Sequence, residues 1–192
     1  MAARAGMATL IIELRGMTGV GTADTVIAGT TWYTDDQLED ILDRHRDTCY
    51  DVSLIKDPVT IGGTLLYKDY LIPGNDHWFE TDAAASVWQV KDSVGGTASI
   101  PSHSVNYPDR RITFAATTGG TAYNIDYRRY DLNRAAADVW EQRATHTAAV
   151  TDWSSDNHSV KAQNVIDNFN RMAGDFRAKA GPVFREFVRA DE

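Results

Sequence analysis

Residues 130–181 constrain the fold more than any other stretch, because their apolar positions recur at the period of two consecutive helices. Tyr130-Asp131-Leu132-Asn133 opens the first, with Asp131 placed to accept the free backbone N–H groups of a helix start. Leu132, Ala135, Ala136, Val139, Trp140 and Thr147 then fall on one face. Trp153-Ser154-Ser155-Asp156-Asn157-His158 interrupts the pattern with residues that favour turns. Ser159 is the expected cap of the second helix. Its inner face carries Ala162, Val165, Ile166, Phe169, Met172, Ala173, Phe176 and Ala180. Asp167, Arg171, Asp175 and Lys179 alternate in sign at steps of four on the opposite face, which suits an exposed helical surface. Gly181-Pro182 ends it, since glycine accepts a left-handed terminus and proline cannot continue. The spacing predicts an antiparallel helical hairpin.

Upstream, Leu10, Ile11, Leu14 and Met17 predict a short helix over residues 5–17, ended by glycines at 16, 19 and 21. A polar linker, residues 22–31, leads to Trp32-Tyr33-Thr34-Asp35-Asp36-Gln37. There Thr34 and Gln37 form a capping box, with Tyr33 and Leu38 placed as a hydrophobic staple. A helix is expected from Asp35 to about Tyr50, with Arg44 and Arg46 at its negative end. Cys49 falls in register with Leu38, Ile41, Leu42 and His45, as a core position of that helix.

Between Asp51 and Arg129 the period changes. Val, Ile, Thr, Tyr and Trp cluster in short runs broken by glycine or proline, which predicts strands at 52–56, 64–72, 78–80, 86–90, 111–115 and 122–129. Gly119-Gly120 is expected to close a hairpin between the last two. The fold class is therefore α+β. Residues 1–50 and 130–181 are expected to form a small helical bundle, residues 51–129 an inserted antiparallel β-sheet subdomain, and residues 182–192 a tail.

Composition bounds function by exclusion. With 27 acidic and 19 basic residues, the net charge of −8 argues against a surface that clamps nucleic acid by counterion release. A single cysteine leaves no intrachain disulfide framework and fits a reducing compartment. No apolar run approaches the roughly 20 residues that cross a bilayer, and Glu13 and Arg15 interrupt the only N-terminal apolar run too early for a signal peptide. A soluble, cytoplasmic protein is expected, with no membrane partner.

Chemistry is hard to find. The five histidines (45, 77, 103, 146 and 158) are scattered, and one cysteine cannot build a zinc quartet. Ser53-Leu54-Ile55-Lys56 with Ser155-Asp156-Asn157 mimics two elements of a serine β-lactamase site, but the Lys-Thr-Gly element is missing. Asp35 with Asp36, and Asp109 with Asp126, are explained by capping and turns. No catalytic residue, cofactor or metal is expected, leaving an enzyme only if its site is assembled from dispersed residues. Five tryptophans are many for 192 residues. They either fill the core or, in part, serve contacts between subunits.

The order of elements carries a resemblance. A short helix with Leu14-Arg15 leads to the Asp-Asp-Gln-Leu capped helix with Leu42-Asp43-Arg44-His45-Arg46. A β-rich middle ends in Arg111-Ile112-Thr113-Phe114, and a strand runs straight into Tyr130-Asp131-Leu132-Asn133-Arg134-Ala135-Ala136-Ala137. The helix pair then turns at Ser154-Ser155-Asp156-Asn157-His158-Ser159. Over most of residues 5–181 this resembles the head-to-tail adaptor (head completion, or connector) proteins of tailed double-stranded-DNA bacteriophages and related gene-transfer particles. The resemblance implies a virion structural protein of the neck, assembled in the host cytoplasm. Such proteins form a homo-oligomeric ring, usually of twelve subunits, beneath the portal protein. The ring meets a stopper or tail protein, and double-stranded DNA passes through its lumen without sequence-specific binding.

Within that role, Val183, Phe184, Phe187 and Val188 are expected to dock on the portal. Asp167, Arg171, Asp175 and Trp140 are expected on helix faces between subunits, with acidic residues of one helix toward the lumen. A stopper or tail-completion protein and a non-viral protein-binding module remain the alternatives.

Overall fold

The computed structural model describes residues 3–22, 26–27, 30–74, 78–81, 88–93, 96–97, 100–148, 153–155, 158–160 and 162–180. The chain divides after Tyr130 into two compact units, residues 1–130 and 131–192. The first two helices thus fall with the β-sheets. That grouping differs from the expected one, in which residues 1–50 join residues 130–181.

In the first unit a single turn, Ala5–Met7, leads into α1 (Ala8–Thr18), which Gly19 ends in the left-handed conformation (φ 65°). A two-stranded ribbon follows, β1 (Val26–Ile27) with β2 (Thr30–Thr31), and then α2 (Asp35–Arg44). The capping box forms as expected. The Gln37 backbone N–H donates to Thr34 Oγ1 at 3.4 Å, and the Thr34 N–H donates to Gln37 Oε1 at 3.1 Å. Arg15 ties the two helices together. Its guanidinium donates to the carbonyls of Val20, Gly21 and Tyr33 and to Asp35 Oδ1 (2.7 Å). That clamp holds Tyr33 at φ 62°, an uncommon value for a bulky residue.

α2 stops at Arg44, six residues short of the expected end. His45 leaves helical geometry (φ −112°, ψ 22°), and β3 (Arg46–Ser53) begins at once. Cys49 therefore lies in a strand and not on a helix face. Thr48, Cys49, Tyr50 and Val52 have weak helix propensity, and pairing with a strand some 80 positions later satisfies their backbone better than another helical turn.

The remaining strands of the unit are β4 (Ile55–Ile61), β5 (Thr64–Leu71), β6 (Gln89–Asp92), β7 (His103–Asn106), β8 (Arg111–Phe114) and β9 (Tyr123–Tyr130). They form two antiparallel sheets, in the orders β3-β9-β6 and β4-β5-β8-β7. The expected strand at 52–56 is broken by Leu54 into the end of β3 and the start of β4. The expected strand at 78–80 reduces to one bridge, Phe79 with Arg129. Within these two sheets, β4 beyond Lys56 and the whole of β7 fall where no strand was expected. β4 holds Pro58 and escapes penalty by lying at a sheet edge, with a bulge between Asp57 and Val59. β7 is only four residues long.

The hairpin expected between the strands around residues 111 and 129 does not exist. β8 pairs with β5 and β7, whereas β9 pairs with β3 and β6. The connecting loop crosses between sheets and folds back onto β5, where the Thr118 N–H donates to the Tyr67 carbonyl at 2.9 Å. Gly120 comes close to the Tyr67 ring, at 3.4 Å from a Cβ position. The glycine pair that does close a hairpin is Gly62-Gly63, between β4 and β5, at φ 58° and 79°. Two successive positive φ values are the requirement of the tight turn whose twist matches a β-ribbon.

The inward residues of both sheets meet in one core. Tyr70, Ile112 and Phe114 come from one sheet, and Val90, Tyr123, Ile125 and Tyr127 from the other, joined by Leu54, Ile72, Phe79 and Trp88. Phe114 stacks on Tyr123 at 4.7 Å across the sheets, and Tyr70 meets both rings edge-on at 5.2 and 5.5 Å. Trp88, Phe79 and Tyr127 form a second aromatic group, and the Trp88 indole N–H donates to the Glu80 carbonyl at 2.6 Å. Trp88 is thus core.

The second unit is an antiparallel helical pair. α3 (Leu132–Thr147) is capped by Asp131, whose carboxylate accepts from the Arg134 N–H at 3.1 Å, as expected. The polar turn is not a simple turn. It holds two short antiparallel strands, β10 (Trp153–Ser155) and β11 (His158–Val160), in the register Trp153 to Val160. Ser159 therefore lies within β11, and α4 runs Ala162–Lys179. The seven expected inner-face positions that lie in α4, and Ala180 just after it, are all buried or half-buried. Trp140 meets Phe169 at 5.3 Å, and Arg177 reaches Asp138 and Glu141 on α3. The fold is α+β, with its helical hairpin at the C-terminal end.

Candidate interaction surfaces

The densest group of ionisable side chains lies in the first unit around Glu80, whose residue is only 3% exposed. Tyr130 donates its phenol O–H to Glu80 Oε2 at 2.8 Å. Arg128 lies 3.4 Å from the same oxygen, and Arg4 lies 3.6 Å from Oε1. The Arg4 guanidinium also reaches Glu39 and Asp43 on α2, each at 2.7 Å. Three carboxylates therefore share two arginines and a phenol. A buried carboxylate is tolerated when paired and hydrogen-bonded in this way.

The arrangement ties the N-terminal segment, α2 and the end of β9 to residues 78–81. Thr81 reinforces it by donating both its N–H and its hydroxyl to the Gly6 carbonyl, at 3.0 and 3.1 Å. Nothing in the sequence marked Glu80 or Arg4. Their partners are 35 to 126 positions away, and only the fold brings them together.

Burial pushes the Tyr130 phenol well above its ordinary value, and the hydrogen bond to Glu80 adds to the rise. The folded chain thus holds this proton more tightly than the unfolded chain. Its contribution to stability is complete below the ordinary phenol value near pH 10 and is lost as pH climbs beyond it. The urea midpoint of the parent should fall between about pH 9 and 11, and Tyr130→Phe should make that fall shallower.

The residues imagined as chemical pairs have structural partners. Asp126 binds Lys91 (2.6 Å) and the Asp51 N–H, while Asp109 closes a turn with Asn106. Ser53 donates to Asn124 from within a strand. Among the described residues no three His, Cys, Asp or Glu side chains are placed to hold a metal ion.

Exposed surface is the more informative feature. Of the large apolar side chains most exposed to water, Ile55, Val59, Ile61 and Leu65 all belong to the β4–β5 hairpin. β5 meets β8 only through Asp69–Leu71, so the hairpin leaves its sheet beyond that point as a two-stranded arm. Tyr50 is displayed separately, on the bulge of β3 between Cys49 and Val52, beside Asp51 at φ 51°. A bulge of this kind re-aims a side chain away from its sheet.

The residues expected at subunit contacts are placed as follows. Asp167, Arg171 and Asp175 are exposed on α4, where Gln163 donates to Asp167 and Arg171 donates to Asn168. With Arg171 between the two aspartates and Lys179 also exposed, that face is of mixed sign and not an acidic wall. Trp140 is half-buried against Phe169, with the Arg143 guanidinium stacked 4.4 Å over its ring, so it packs within the helical pair. Val183, Phe184, Phe187 and Val188 lie outside the described residues. No helix among the described residues is long and apolar enough to cross a membrane. No protein family, curated protein or solved structure matches the chain.

Proposed function

We propose that this chain is a structural protein of a tailed-phage or gene-transfer particle, a head-to-tail adaptor that forms a homo-oligomeric ring beneath the portal and extends its DNA channel. The observation that carries the reading is the capped strand-to-helix passage at Tyr130-Asp131-Leu132-Asn133, leading into an antiparallel pair. With the Ser/Asp/His/Ser turn, it is one of the two most specific parts of the resemblance. Two further features support it. The hairpin arm offers an apolar surface to a partner, and the mixed charges of α4 suit lateral contacts between identical neighbours. Most of the acidic surplus lies in residues 1–130, which hold 17 acidic and 11 basic residues. Any repulsion of DNA phosphates belongs to that unit and not to α4.

The seven strands of the two sheets favour a second reading, the stopper, since stoppers are typically β-dominated. Negative-stain micrographs of purified portal rings mixed with this protein separate the two. An adaptor adds a layer directly to the portal. A stopper leaves the bare portal unchanged and adds only once an adaptor ring is in place. Portal rings unchanged under both conditions rule out both.

A further inference from the structure

The β4–β5 arm and the C-terminal segment, which the resemblance directs to the portal, both carry apolar side chains. We propose that the arm of one copy receives the segment Val183–Val188 of a second copy, an inference that rests on the ring reading above.

The arm is unusual in its chemistry. Pro58 to Tyr67 is a run of ten residues without a charge, in a chain that is 24% charged. Register places Val59 opposite Leu66, with Ile61 two residues on, so these three share one face. On that face Val59 and Ile61 remain 46% and 62% exposed, while Leu65, 48% exposed, lies on the opposite one. With no cation between Pro58 and Tyr67 to meet a phosphate, nucleic acid is a poor occupant of that stretch. Extension of the sheet along β4 is also poor, because Pro58 lacks an N–H and Lys56 and Asp57 flank the bulge. What fits is a segment that lays an apolar face across the arm's own side chains.

Residues 181–192, outside the described residues, contain one. Val183, Phe184, Phe187 and Val188 follow the one-face spacing of a helical turn, with Arg185, Glu186 and Arg189 on the other side. The segment belongs to the second unit, and the arm to the first. They are two unlike surfaces, as a head-to-tail contact between neighbours requires. Contact of arm with arm would close instead as a two-fold dimer. About ten residues against six fall well below the 20 to 30 per side of a standard interface, so a single contact is weak and a closed ring multiplies it.

The test uses the full chain in two forms, Phe184→Asp/Phe187→Asp with an intact arm and Ile61→Glu with an intact segment. Ile61 is exposed, so its substitution leaves the melting temperature unchanged. A labelled peptide of residues 181–192 should bind the first form saturably in fluorescence anisotropy. Adding Ile61→Glu to that form should weaken binding at least about tenfold. In sedimentation velocity the parent should associate with rising concentration and each form alone should not. An equimolar mixture of the two should yield a heterodimer and nothing larger.

Absence of peptide binding, binding indifferent to Ile61→Glu, or a parent monomeric at every concentration would overturn the proposal. No portal enters these measurements, so their failure is distinct from failure of the adaptor reading. An empty portal micrograph with intact peptide binding removes the adaptor and keeps the contact.

Discussion

Phe114→Ala should destabilise the first unit by about 3–5 kcal/mol, the largest effect expected of any single truncation in this chain. Phe114 is 1% exposed and is the ring through which the two sheets touch, stacked on Tyr123 and met edge-on by Tyr70. Its removal opens a cavity that neither neighbour can close. The Tyr70 hydroxyl is held by Thr118 and the Thr121 carbonyl at 2.6 and 2.8 Å, and Tyr123 is fixed in the middle of three strands. Phe114→Leu, which keeps most of the volume, should cost about half as much. Urea unfolding followed by tryptophan fluorescence reads both, since Trp88 lies in the same core.

Gly6→Ala should lower the melting temperature by roughly 5–10 °C, equivalent to about 2–3 kcal/mol. A Cβ at Gly6 would stand 2.2 Å from the Thr81 carbonyl oxygen and 3.1 Å from Glu80 Cγ. The first of these is backbone, held in place because Thr81 donates twice to the Gly6 carbonyl. Relief therefore requires the N-terminal segment to lift, which separates Arg4 from Glu39, Asp43 and Glu80. A matched control is Gly174→Ala. That glycine lies in α4 with open space around its Cβ position, and the substitution should stabilise the helix by about 0.5–1 kcal/mol. The same replacement is thus expected to change sign with location, which differential scanning calorimetry of the two variants shows directly.

Local signals in the sequence were the legible ones. The capping box at Thr34 and Gln37, the cap at Asp131 and the inner face of α4 could be read because each depends on residues within a few positions of one another. Strand partners depend on the rest of the chain. Ile112/Phe114 and Tyr123/Ile125/Tyr127 announced two strands by alternation, yet alternation says nothing about which strand lies alongside. Adjacent strands in a two-sheet fold commonly belong to opposite sheets. The end of α2 was missed for the same reason. Residues 46–53 become a strand because β9, some 80 positions later, offers a ladder from Arg46 with Tyr130 to Ser53 with Asn124. Glu80 had no local signature of any kind. The arm was legible only in part, as an uncharged run around Gly62-Gly63 whose exposure depends on how briefly β8 accompanies β5.

The reading of this chain as an assembly protein without a reactive centre predicts a stoichiometric complex with a portal. Mass photometry of purified portal rings titrated with the 21.2 kDa chain measures it most directly. The mass should rise in one saturating step to one added chain per portal subunit. A portal mass unchanged at excess chain, or a gain of one or two chains with no closed ring, contradicts it.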